Sequence, residues 1–145
     1  MIQQFQKLTS EEQQLLYKAP ALVSALVCCS SNKVNKAQKA DAIKLAHLKT
    51  FTAPAILLPY YAEVENSFKE QLDAILTQYA PFDEAKQAEL KNEISKVNLV
   101  IQKLDSYYRE VLYKSLQAYA QHVKKASHSV FQDFIFPMPI PGLSV

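Results

Sequence analysis

The groups in this 145-residue chain with intrinsic reactivity are few: three histidines, two adjacent cysteines and fourteen carboxylates. Metal and nucleophilic chemistry need such groups in sets at short spacing. Cys28 and Cys29 stand together in an apolar run with no third cysteine, so neither a disulfide framework nor a cysteine zinc site follows. They read as reduced thiols, at least one of them in the core. His47, His122 and His128 have no acid or thiol at ligand spacing, and a separation of six puts His122 and His128 on different helical faces. Glu63 and Glu110 stand on long helical segments, as in carboxylate metal bundles. Those sites also need an E-x-x-H pair from each of two helices, and none occurs. The single glycine, Gly142, excludes a phosphate-cradling loop, a dinucleotide fingerprint and a G-x-S-x-G elbow. The expectation is a protein that is not an enzyme, with no catalytic residue, metal or cofactor.

Charge gives a different lead. The net charge is +2, but residues 31–50 carry five lysines against one aspartate while residues 51–96 carry eight acids against four lysines. Lys33, Lys36 and Lys39 flank an expected helix start, whose free amides already favour anions. They form a candidate patch for an anion or an acidic partner; the competing reading is a solvated lysine face. Arg109 is the lone arginine. Phosphate and base readers favour the bidentate arginine fork, so nucleic acid is not an expected partner.

These groups would be held by helices. Thr9-Ser10-Glu11-Glu12 has the spacing of a capping box, with Thr9 and Glu12 each able to bond the other's amide. It predicts a short helix through Tyr17. Pro20 then opens a second helix over 19–30, apolar nearly all round and therefore central. Asn35 and Gln38 suggest another capping box, starting a helix over 36–49 with Ile43, Ala46, Leu48 and Phe51 inward. Thr52-Ala53-Pro54 breaks the chain. Tyr61, Val64, Phe68, Leu72, Ile75 and Tyr79 make one stripe at spacings of three and four. Pro81-Phe82-Asp83 turns the chain with Asp83 as cap, Leu90, Ile94, Val97, Ile101 and Leu104 follow, and Asp105 caps a last helix with Tyr108, Leu112, Leu116, Tyr119 and Val123 inward. In each of the pairs Tyr60–Tyr61 and Tyr107–Tyr108, one ring should be core and the other rim. The predicted fold is all-α: a single-domain multi-helix bundle over 1–145 whose last three long helices are antiparallel neighbours.

Residues 130–145 form an extended, apolar, proline-rich tail, with Phe134, Phe136, Met138 and Ile140 as a candidate interaction segment for a protein partner or a second copy. Packing back on the bundle is the alternative. The start lacks the order of a signal peptide, and the longest apolar stretch, residues 19–29, is about half a membrane span. A cytoplasmic protein without a membrane span is expected.

The segment from Ala21 to Asn35, followed by Ala42-Ile43-Lys44-Leu45-Ala46, resembles the tellurite-resistance TerB-like family, as do His47-Leu48-Lys49-Thr50-Phe51-Thr52 and Tyr60-Tyr61-Ala62-Glu63-Val64. The resemblance implies a TerB-like helical domain and a stress-response setting. In that family an apolar helix ends in an acidic loop implied to bind metal. Here Ser31 and Asn35 stand where its aspartates belong, Asn32 replaces its glycine, and Lys36, Ala37 and Gln38 replace acids of the next turn, so the metal site does not carry over. The expected role is binding or scaffolding; the alternative is a metal- or small-ligand-binding domain or a metal-dependent enzyme.

Overall fold

The computed structural model describes residues 3–28 and 36–124. The chain is an all-α multi-helix bundle. A 3₁₀ turn, Gln3–Lys7, leads into α1 (Ser10–Cys28); α2 (Lys36–Thr52), a 3₁₀ turn (Ala55–Leu57), α3 (Leu58–Gln78), α4 (Glu84–Ile101) and α5 (Ser106–Lys124) follow.

The local signals sit where the sequence put them. The Thr9 amide donates to Glu12 Oε1 at 2.9 Å and the Glu12 amide to Thr9 Oγ1 at 3.1 Å. Asp83 accepts from the Lys86 amide at 2.9 Å, and Asp105 from the Tyr108 amide at 3.0 Å. All the stripe residues expected inside α3, α4 and α5 and their ends are buried. The turn between α3 and α4 carries a cis Ala80–Pro81 bond and places Phe82 at φ 62°. A non-glycine residue in that left-handed region costs about 1–2 kcal/mol. Burial of the Phe82 ring and the Gln87 Nε2 bond to its carbonyl, at 2.7 Å, hold it there.

The break expected near Pro20 is corrected. There is one helix, α1, with Pro20 inside it. Proline removes the amide that would bond the Leu16 carbonyl. The Tyr60 hydroxyl, arriving from α3, donates to that same carbonyl at 2.6 Å in a buried setting. Ser24 Oγ donates to the Pro20 carbonyl at 2.7 Å. Tertiary bonding thus replaces what the proline takes away, and α1 runs on.

The arrangement of the helices also differs. Every residue of α1 from Ala19 to Cys28 is buried, and α1 packs against each of α2, α3, α4 and α5. The centrality expected of residues 19–28 holds. However, α3 and α4 lean on α1 rather than on each other, because the apolar circumference of α1 offers the larger surface to cover. On α2 the buried residues are Gln38, Ala42, Leu45 and Ala46. Leu48 is half-buried and Phe51 is 61% exposed, so the expected inward face is wrong beyond Ala46. Small residues let α2 sit close to its neighbours, and the Phe51 ring instead packs edge-on against His47, with centroids 5.3 Å apart.

Tyr60 and Tyr61 are both fully buried, correcting the core-and-rim expectation for that pair; Tyr107 and Tyr108 obey it, at 63% and 2% exposure. Burial of Tyr61 is tolerated because its hydroxyl meets Ser115 Oγ on α5 at 2.6 Å. Tyr119 likewise donates to the Ala42 carbonyl at 2.7 Å. These phenols tie α5 to α2 and α3 from inside, so burial pushes all three tyrosines well above the ordinary range for ionisation.

Candidate ligand groove

Most reactive groups are committed elsewhere. Cys28 is buried, and desolvation pushes its thiol up to about 12, which leaves almost no thiolate at neutral pH. His47 pairs with Glu65 across α2 and α3, and His122 Nε2 lies 3.4 Å from Asp41 Oδ2; both histidines are on the surface. Neither partnership was visible at the ligand spacings of the sequence, because both cross between helices. Lys49 holds its ammonium 5.9 Å from the centroid of the Tyr61 ring, where partial burial lowers its proton affinity. Among the described residues, no group of three or more His, Cys, Asp or Glu is placed to hold a metal ion.

Of the candidate lysine patch, Lys36 is exposed at the first residue of α2, and Lys39 forms a 2.7 Å ion pair with Asp73 of α3. Lys33 lies outside the described residues, as do Cys29, Asn35, His128 and the tail residues Phe134, Phe136, Met138 and Ile140. Part of the charge contrast seen along the chain is therefore an internal pairing of basic α2 with acidic α3. No helix among the described residues is long and apolar enough to cross a membrane.

A groove that the sequence did not single out opens at the other end of α2. It has a volume of about 630 Å³ and is lined by Gln3 and Gln4 of the first turn, Tyr17, Ile56, Pro59, Glu63 and Tyr108. Small-molecule sites typically fall between about 300 and 1,000 Å³.

Each wall has a local cause. Phe5 is fully buried and drags the N-terminal turn onto the bundle, its ring centroid 5.4 Å from Tyr17 and 5.9 Å from Tyr108. Gln13 Nε2 secures that turn by donating to the Phe5 and Leu8 carbonyls, at 2.9 and 3.2 Å. Gln4 Oε1 accepts from the Asp105 amide at 3.2 Å, and Lys103 pairs with Glu12. The opposite wall is the proline-started first turn of α3, approached through the 3₁₀ turn whose Leu57 is buried and whose Ile56 is 38% exposed.

The floor is aromatic. Tyr17 stacks on Tyr60 with centroids 5.8 Å apart and planes 19° apart. Tyr108 is 2% exposed, yet its hydroxyl is buried without a hydrogen-bond partner. Desolvation, then the nearby Tyr17 and Tyr61 hydroxyls, push the Tyr108 phenol up. Desolvation pushes the Tyr17 phenol up as well, with the Glu63 carboxylate as the further cause. The lining thus offers the Tyr17 phenol, two amides, two apolar contacts and one carboxylate, with the Tyr108 hydroxyl enclosed beneath it.

Fold and groove define the class as an all-α bundle, with five α-helices among the described residues and an open polar-aromatic groove at one end. No family model, curated protein or solved structure matches the chain.

Proposed function

We propose that this chain is a non-catalytic binding protein whose binding site is the groove at the α2–α3 end of the bundle. The observation that carries the reading is a 630 Å³ groove that gathers the Tyr17 ring, the apolar Ile56 and Pro59 and the Glu63 carboxylate in one recess. Small-molecule sites combine such apolar walls with a few convergent polar groups. The Cys28 thiol is buried, and the Ser24 and Ser115 hydroxyls are bonded inside the core, so these three groups are not presented to a groove ligand.

A TerB-like, stress-response role is the finer form of this proposal. It rests on the sequence runs Ala21–Asn35, Ala42–Ala46, His47–Thr52 and Tyr60–Val64. The tail segment beginning at Phe134 is a second proposed contact, for a protein partner or another copy, and it rests on its uncharged apolar sequence.

The test is native mass spectrometry of gently purified protein, with a melting curve in the low-mass fraction of a cell extract. A ligand that binds only the folded state raises the midpoint. The expected result is a retained small mass or a raised midpoint, abolished by Ile56→Trp, which fills the groove from its exposed rim. A clean apo mass together with a midpoint unmoved by the extract would refute the proposal.

A further inference from the structure

The groove's lining also limits what fits it. Glu63 is the single formal charge among the groove-lining residues, and no lysine or arginine lines it. Glu63 is exposed on the groove wall, where its carboxylate attracts positive charge from solution. The remaining polar surface consists of the Tyr17 phenol and the Gln3 and Gln4 amides, which stabilise a cation through a ring face and through oxygen acceptors. Ile56 and Pro59 add an apolar wall on which a short hydrocarbon stem can lie.

We infer that the groove binds a small organic cation: an alkylammonium whose charged head is held by Glu63 and the neighbouring Tyr17 phenol, and whose stem lies on Ile56 and Pro59. The inference rests on the binding role proposed above and supplies the ligand class. The charge logic is opposite to that of the lysine patch, which stands at the start of α2, about 20 Å of helix from its end. An anion drawn to Lys36 therefore occupies a different end of the bundle.

The probes are four molecules with related stems: n-butylammonium, 1,4-diaminobutane, 1-butanol and butanoate. Amide shifts of Tyr17, Glu63 and Tyr108 are followed by NMR at increasing probe concentration. The two cations are expected to saturate these shifts with dissociation constants on the order of 1–10 mM, the range open to ligands of so few atoms. Butanol and butanoate are expected to bind at least about tenfold more weakly. Glu63→Gln should weaken the cations about tenfold, since it removes the ionic partner of a charge-assisted bond. Tyr17→Phe should weaken n-butylammonium several-fold, because it removes the phenol oxygen beside Glu63.

Butanol or butanoate saturating as tightly as the cations would overturn the cation assignment while leaving a ligand groove in place. Cations whose affinity ignores Glu63→Gln would overturn it too. Silence from all four probes would refute the inference, and the cell-extract melting curve separately decides whether the groove binds anything else.

Discussion

Tyr60→Phe tests the most specific structural claim made here: that a hydroxyl on α3 replaces the backbone bond that Pro20 removes from α1. In the folded protein that hydroxyl is the donor to the buried Leu16 carbonyl, at 2.6 Å. Its removal leaves the carbonyl without its cross-helix donor, at a cost of about 1–3 kcal/mol; about 2 is a fair centre. Unfolding entropy near 2.1 cal/mol/K per residue gives about 0.3 kcal/mol/K over 145 residues, so the midpoint should fall by about 7 °C. Core packing alone could produce a drop of that size, so the single variant does not isolate the mechanism. A double-mutant cycle with Pro20→Ala does. Alanine at 20 restores an amide four residues after Leu16, and the carbonyl regains a local donor. Tyr60→Phe should then cost at least about 1 kcal/mol less than in the wild-type background, read from urea unfolding monitored by far-UV circular dichroism. An equal cost in both backgrounds would refute the compensation.

Other outcomes follow from the buried polar groups and the surface ion pairs. Asn98 is 1% exposed and neither of its side-chain polar atoms has a partner, so Asn98→Leu should stabilise the protein by about 1–3 kcal/mol in urea unfolding. The Glu12 carboxyl is held below its ordinary range first by the hydrogen bond from Lys103 and then by the Thr9 amide. A lowered carboxylate contributes stability above its unfolded range and loses it as pH falls through its folded value. Glu12→Gln should therefore lower the midpoint at neutral pH, and the two curves should converge once the pH falls below the lowered folded value, where both side chains are neutral. In a Cys29→Ser background, Cys28 should resist a disulfide reagent at pH 8 until denaturant is added, since burial blocks access and holds the thiol near 12. Rapid labelling of the native protein would contradict its burial.

What the sequence determined by itself is what fits within one or two helical turns. The capping residues Thr9, Asp83 and Asp105 act on amides three residues away, so their effect is written locally. The stripes of α3, α4 and α5 are equally legible, because apolar spacing of three and four residues fixes a face without reference to any neighbour. Where a local rule met a tertiary partner, it lost. Pro20 signals a helix start, and only Tyr60, 44 residues beyond the Leu16 carbonyl it bonds, makes a continuous α1 tolerable. Phe51 continues an apolar pattern, but close packing by Ala42 and Ala46 turns that ring outward.

The groove was the least legible feature of all. Its lining comes from positions 3, 4, 17, 56, 59, 63 and 108, scattered over four helical elements and the first turn. No spacing rule links them. Glu63 reads in the sequence as a solitary helix carboxylate and Tyr108 as a core ring; both descriptions are correct as far as they go. Only the packing of α3 and α5 around α1, with Phe5 pulling the N-terminal turn against them, brings that carboxylate and the Tyr17 and Tyr108 residues to one recess. Periodicity chooses which face of a helix is buried, but a site between helices depends on how the buried faces meet.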